Sequence, residues 1–155
     1  MEYDIRKEER VWQRVQQEKG ERNAPREQIP ALIMEQMQLS AAYLQISRLL
    51  QGRDGAEFVR LAREARTQAG CLKGILTLMT GCTSPIAGTP VQFATLDALL
   101  RHCYGAELRL LKEYENRRAD LEYGPVFERL AQRGREHCCV LLELIGKTAK
   151  GKQES

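Results

Sequence analysis

Apolar residues recur along this chain at steps of three and four, in four stretches separated by helix-breaking residues. Such steps place side chains on one face of a helix, and no stretch shows the apolar–polar alternation of a strand. The residues before these stretches, 1–23, are strongly charged and predict a short helix or docked arm. The pattern predicts four long helices, over residues 30–50, 56–80, 93–118 and 125–148.

The connections between the predicted helices differ in length. Residues 51–55 and 119–124 are short and contain glycine, so each is predicted to join two antiparallel neighbours. The connection GCTSPIAGTPVQ is longer and rich in Gly, Pro, Ser and Thr. Two antiparallel pairs joined by a crossover loop describe an all-α four-helix bundle. The predicted divisions are an N-terminal helical arm (1–24), the bundle (25–149) and a polar tail (150–155).

Composition supports a single helical domain. The chain has 155 residues, 43% of them hydrophobic, while aromatic residues make up only 6%. This can fill one core and argues against a β-sandwich or barrel. The net charge of +3 comes from interspersed basic and acidic residues, so no nucleic-acid partner is expected. Neither a secretory signal nor a membrane span is recognisable, so we expect a cytoplasmic protein without a membrane partner.

The chain has five cysteines, and none of them forms a C-x-x-C pair. This argues against a zinc ribbon or a rubredoxin-type site. An odd number of cysteines without a secretory signal predicts reduced, mostly buried thiols, with Cys82 in the crossover loop the most exposed. The neighbours Cys138 and Cys139 are either redox or metal thiols, or small apolar residues that fill a helix.

Each predicted helix carries one polar residue near the middle of its apolar row. These residues are Glu35, Gln68, Glu107 and His137. Buried charge is costly, so convergence would let two carboxylates and an imidazole share protons or hold a cation. Alternatively, Glu35 and Glu107 lie at the edges of their rows and His137 is a hydrogen-bonded core residue. Tyr43 and Tyr114 lie near these carboxylates, either as hydrogen-bond donors or as packing residues.

These positions resemble the ligand positions of ferritin-like, rubrerythrin-type di-iron proteins. In that family one Glu from each of two helices and a Glu-x-x-His from each of the other two hold two iron or manganese ions. The resemblance covers residues 28–147. Glu35 in IMEQMQLSAAYL and Glu107 in YGAELRLLKEYE match the single-Glu positions. REARTQAGCLKGI and RLAQRGREHCCVLLELIG match the Glu-x-x-His segments.

Three of the ligands that the resemblance implies are absent. The apolar row of the second helix puts Ala65 and Gln68 where the family has Glu and His, and Gly134 replaces the Glu of the fourth helix. A shift by one residue gives Glu64 and Thr67, which still lacks His and turns Glu64 about 100° from the row. Two carboxylates leave about two positive charges of a di-iron centre uncompensated, which argues against normal di-iron redox chemistry.

The resemblance therefore implies a degenerate site in a ferritin-like bundle. We expect weak or mononuclear metal binding by Glu35, Glu107 and His137, completed by water or the Gln68 amide oxygen. Iron or another divalent transition metal is the expected cofactor, and no catalytic residue is assigned. The alternative is a metal-free bundle that serves as a small-molecule-binding, scaffold or protein-interaction module. A homodimer is the default assembly, and any redox partner is a separate protein.

Overall fold

Helices make up all the regular structure in the described part of the chain. The computed structural model describes residues 28–83, 88–89, 92–93 and 95–153. The predicted N-terminal arm, residues 1–24, lies outside the described residues. Over these residues, the sequence prediction of an all-helical fold with four long helices is confirmed. The helices are α1 over residues 28–49, α2 over Gly52–Thr80, α3 over Leu96–Asn116 and α4 over Gly124–Gln153.

Local chemistry sets the helix ends more sharply than the apolar pattern does. Thr95 caps α3, because its hydroxyl accepts the backbone N–H of Ala98 at 3.1 Å. Helix α3 therefore begins later than the predicted residue 93. Helix α2 ends at Gly81, which has a φ of 72°, a left-handed conformation that favours glycine. Helix α4 continues to Gln153, past its predicted end and into the predicted polar tail.

Neighbouring helices in the bundle all run antiparallel. The contacts that fix these directions are Gln36–Gln68 and Ser40–Ala62 for α1 and α2, Gln36–Tyr114 and Tyr43–Glu107 for α1 and α3, Asp54–Lys147 and Glu64–Arg133 for α2 and α4, and Glu107–His137 and Glu115–Arg135 for α3 and α4. Helices α2 and α3 therefore point in the same direction, and the connection between them has to travel along the bundle.

The crossover connection approaches α1 closely at Gly88. A Cβ atom on Gly88 would lie 2.8 Å from the main-chain carbonyl carbon of Met37. Real Cβ atoms essentially never come so close to main-chain atoms. Glycine is therefore the residue that lets the connection lie against the middle of α1.

The buried rows of α2, α3 and α4 follow the sequence prediction closely, whereas α1 differs. On α1, Leu49 continues the apolar row at a step of three but is 62% exposed, and Gln36 is fully buried where Glu35 is only half-buried. Two rows of α1, one residue apart, face the core. Their buried members are Ile29, Leu32, Ile33, Gln36, Leu39, Ser40, Ala42, Tyr43 and Ile46. Among the described helices, none has an apolar stretch long enough to cross a bilayer.

The cysteines divide into buried and exposed groups. Cys82 is exposed as predicted, but Cys71 and Cys139 are exposed too, so the expectation of mostly buried thiols is wrong. Burial raises the pKa of Cys103 to about 12 and that of Cys138 to about 11, with the charge of Glu107 adding to both. These two thiols stay protonated and pack as apolar groups.

Replacing Gly88 with Ala should destabilise the protein, because the new methyl group would collide with the main chain of Met37. Overpacking of this kind lowers the free energy of unfolding by about 1–3 kcal/mol. The matched control is Gly74→Ala on α2, an exposed position with open space around it, where helix propensity predicts a gain of up to about 1 kcal/mol. Urea denaturation measures both effects. A Gly88→Ala protein as stable as the wild type would contradict the close approach.

Candidate functional site

The imidazole of His137 on α4 lies at the centre of a hydrogen-bonded cluster in the bundle core. The side chain is fully buried. Its Nδ1 atom lies 2.9 Å from Oε1 of Glu107 on α3, and its Nε2 atom lies 2.7 Å from Oε2 of Glu64 on α2. Tyr43 on α1 donates its hydroxyl proton to the same Oε1 of Glu107 at 2.5 Å. Each helix thus contributes one side chain to these four residues, which we call the His137 cluster.

The two carboxylates decide the protonation state of His137. Only the imidazolium form can donate from both ring nitrogens, whereas a neutral ring would turn a lone pair towards one carboxylate. Burial by itself lowers the pKa of His137. The hydrogen bonds and negative charges of Glu107 and Glu64 outweigh burial and raise this pKa above its ordinary value. The cluster therefore favours a positively charged His137.

Glu107 is almost completely removed from solvent. Its Oε1 atom accepts hydrogen bonds from Tyr43 and His137, while Oε2 has no hydrogen-bond partner among the described residues. A Cβ atom on Gly134 would lie 3.7 Å from Oε2. Burial, together with the charge of Glu107, raises the pKa of Tyr43 well above its ordinary value. Tyr43 is therefore a neutral hydrogen-bond donor to a buried carboxylate.

Glu64 links the cluster to the protein surface. Its side chain is 20% exposed, and its Oε1 atom accepts hydrogen bonds from Arg60 at 2.6 Å and from Arg133 at 3.2 Å. Burial raises the pKa of Glu64, but the hydrogen bonds from His137 and Arg60 outweigh burial, so the pKa is lowered. Negative and positive groups thus alternate from Glu107 through His137 and Glu64 to the two arginines.

A second polar layer, without charged groups, lies beside the cluster. The Gln36 amide donates to Oε1 of Gln68 at 2.6 Å and to the hydroxyl oxygen of Tyr114 at 2.8 Å. Oε1 of Gln36 and Nε2 of Gln68 have no hydrogen-bond partner in the part of the chain that the structure describes. Neutral amides are less costly to bury than charges, which explains why Gln36 and not Glu35 faces the core here.

Of the four residues predicted as metal ligands, the structure brings two together. Glu107 and His137 are in direct contact. Gln68 is bonded to Gln36 in the second layer. Glu35 lies outside both layers, because its carboxylate is 25% exposed and accepts a hydrogen bond from Arg109 at 3.0 Å.

The cluster contains metal-binding residue types but not a shared metal position. Glu64 and Glu107 lie at opposite nitrogens of the His137 ring, so their oxygens do not converge on a common point. Within the described residues, no group of three or more His, Cys, Asp or Glu side chains is placed so that it could hold a metal ion.

Two residues of these layers, Glu64 and Gln36, are not predicted by the apolar rows. Glu64 lies beside the row of α2, but its side chain is long enough to carry the carboxylate from the helix edge to His137. The signal for Gln36 is a second row, which contains Ile33 before it and Tyr43 two turns after it. Of the two roles left open for Tyr43, the structure shows the hydrogen bond to a carboxylate, that of Glu107.

The chemistry open to the cluster follows from its own residues. Comparisons of this chain with protein-family models, curated proteins and solved structures found no match. With both ring nitrogens engaged, His137 can share its protons with Glu107 and Glu64. It can bind a metal only by giving up one of these hydrogen bonds. The geometry therefore describes a proton-sharing cluster with Glu64 as its link to solvent.

Glu107→Gln should destabilise the protein far more than Glu35→Gln. Breaking a buried ion pair costs about 3–5 kcal/mol in the free energy of unfolding, and Glu107→Gln leaves the imidazolium with a single carboxylate. The surface pair of Glu35 and Arg109 is worth less than about 1 kcal/mol. Urea denaturation of both variants at one pH measures the difference. Equal losses would contradict the placement of Glu107 in the core and Glu35 at its edge.

The free energy of unfolding should decrease as the pH rises through the folded-state pKa of His137. Because this pKa is raised, the folded protein holds the proton more tightly than the unfolded chain does. The extra stability is fully present below the unfolded pKa of about 6.5 and is lost above the folded pKa. Chemical denaturation between about pH 6 and about pH 8 measures the decrease. His137→Gln should lack it and the control His102→Gln should retain it. Identical profiles for wild type and His137→Gln would contradict the imidazolium.

Proposed function

We propose that this chain is a metal-free four-helix bundle that binds a small organic molecule, and not a redox enzyme built on a metal centre. The observation that carries the proposal is the double hydrogen bonding of His137. A metal ion would need one of the two ring nitrogens, which lie 2.9 Å from Glu107 and 2.7 Å from Glu64. The carboxylate released by metal binding would lose its partner in the core, which is costly.

In this proposal the bundle is a degenerate relative of the ferritin-like, rubrerythrin-type proteins. The antiparallel packing of neighbouring helices and the crossover connection support the relationship. The position of Gly134 also supports it. Gly134 precedes His137 by three residues, where the resemblance implies a Glu, and it lies beside the carboxylate of Glu107. With fewer carboxylates, the core balances its charge through an imidazolium and needs no metal ion.

A cleft between α2 and α4 supports the binding of a small molecule. Its volume is about 250 Å³, and both Glu64 and Gln68 line it. Gln68 is only 5% exposed, and its amide nitrogen lacks a partner among the described residues. A buried donor without a partner is costly, so a ligand acceptor that reached it would gain a hydrogen bond. Pockets that hold drug-sized ligands have volumes of about 300–1,000 Å³, so this cleft suits a smaller metabolite.

Mononuclear metal binding is the second candidate function, favoured by the contact between Glu107 and His137. Glu35 and Gln68 would complete the predicted ligand set, with iron or another divalent transition metal as cofactor. This arrangement requires Glu35 to leave Arg109 and turn towards the core. It also requires Gln68 to give up its hydrogen bond to Gln36.

Metal analysis decides between the two candidates. Protein purified without a chelator should contain far less than stoichiometric metal. Added Fe(II), Mn(II) or Zn(II) should not raise the midpoint of thermal unfolding, since a ligand stabilises the state it binds. The matched variant Gly134→Glu adds a carboxylate beside Glu107 and should increase metal uptake. Stoichiometric metal in the wild type that is lost in His137→Gln would overturn the metal-free proposal.

The binding part of the proposal is tested by two-dimensional NMR with neutral, anionic and cationic fragments. Signals of α2 and α4 residues around the cleft should shift on titration, while signals of the α1 face that carries Glu35 should not. If no fragment of any charge shifts the cleft signals at millimolar concentration, the cleft is not a binding site.

A further inference from the structure

The cleft between α2 and α4 follows the seam where these two helices pack antiparallel. At one end Arg133 pairs with Glu64 at 3.2 Å. Gln68 on α2 and Arg129 on α4, each one helical turn from this pair, also line the cleft. Cys71 lines the far end, and its thiol is exposed. The cleft therefore has a polar end, a middle lined by a guanidinium and a buried amide, and an end that carries a thiol.

The charges along this cleft do not balance. Glu64 is already bonded to Arg60, Arg133 and His137, so it has little capacity for a ligand cation. Arg129 is exposed and forms no ion pair with any described residue. The lining thus presents one positive charge that no carboxylate of the described chain compensates.

The other groups of the cleft restrict the ligand further. The unpartnered Nε2 atom of Gln68 is a donor, so it calls for an acceptor atom. On α4, the buried Leu130 and the half-buried Val126 form an apolar wall next to Arg129. A suitable ligand therefore combines an anionic acceptor group with a short apolar part.

We infer that this cleft binds a small monocarboxylate with a short apolar chain. One carboxylate oxygen pairs with the guanidinium of Arg129, the other accepts from the Gln68 amide, and the chain packs on Val126 and Leu130. A cation would be repelled by Arg129, and a dianion would carry a second charge without a partner. The inference rests on the proposed function and names the ligand class of the same cleft.

Alkylation of Cys71 provides the test, with hexanoate as the probe. The reagent is iodoacetamide, which is neutral, and peptide mass spectrometry follows each thiol separately. Hexanoate at about ten times its Kd should slow alkylation of Cys71 about tenfold, because only the free protein reacts. The exposed thiols of Cys82 and Cys139 lie outside the cleft lining and serve as internal controls. Their rates should not change.

Matched ligands and variants distinguish the contribution of charge to hexanoate binding from that of apolar contact. Hexanamide, hexylammonium and inorganic phosphate should protect Cys71 much less than hexanoate does. Arg129→Gln should weaken hexanoate binding by about five- to tenfold, as expected for a partly exposed charged hydrogen bond. The control Arg66→Gln, which changes another exposed arginine without an ion pair among the described residues, should leave hexanoate binding unchanged.

The outcomes distinguish this inference from the proposed function. Equal protection by hexanamide and hexanoate, or full protection in Arg129→Gln, would overturn the monocarboxylate while leaving the cleft as a binding site. Protection by none of the probes, while another class of fragment shifts the cleft signals in the NMR titration, would also overturn the monocarboxylate alone. Protection by none of them, with no NMR shift from any fragment, would overturn the proposed function as well.

Discussion

One buried imidazole held between two carboxylates determines how the four helices of this bundle fit together. His137 on α4 lies within hydrogen-bonding distance of Glu107 on α3 and Glu64 on α2, and Tyr43 on α1 completes the cluster. A buried carboxylate is tolerated only with a partner. Each helix must therefore hold its residue of the cluster at the same level along the bundle axis. Apolar packing stabilises the bundle, while these three contacts select one arrangement of it.

The cluster also shows how a histidine between two carboxylates can pair buried charges within a helical core. A di-metal centre of the ferritin-like kind requires several carboxylates around it, whereas a protonated histidine carries one charge and directs its two protons to opposite sides. In this chain Ala65 and Gly134 provide no charge and Gln68 is neutral. The remaining buried charges form an alternating series that ends at Arg60 and Arg133 on the surface. The small number of carboxylates in the core is consistent with a positive charge that is supplied by His137.

The sequence predicts the fold well because the fold depends on periodicity. Steps of three and four give the four helices, and the lengths of the connections give the antiparallel pairs. The rows on α2, α3 and α4 are also predictable, down to Glu107 and His137. Prediction fails on α1, where two rows one residue apart are both apolar enough to be buried, so Glu35 cannot be distinguished from Gln36 by pattern alone.

The apolar rows also fail to predict that Glu64 reaches the core, but for a different reason. A row describes the direction in which the Cα–Cβ bond points, but a glutamate side chain is long enough to bring its carboxylate back to the core from the edge of a helix. The need of His137 for two acceptors is the physical cause that brings Glu64 inward. That need becomes visible only when α2 and α4 are placed side by side. The cleft between these helices is equally invisible in the sequence, since it depends on how the two surfaces meet.

The division of the cluster between the two helical hairpins has a consequence for folding. Tyr43 and Glu64 belong to the hairpin of α1 and α2, whereas Glu107 and His137 belong to the hairpin of α3 and α4. Neither hairpin can satisfy all its polar residues alone, and sliding one hairpin past the other by one turn would separate Tyr43 from Glu107 and Glu64 from His137 at once. Intermediates in which only one hairpin is formed are therefore penalised, and the two hairpins gain or lose their structure as one cooperative unit.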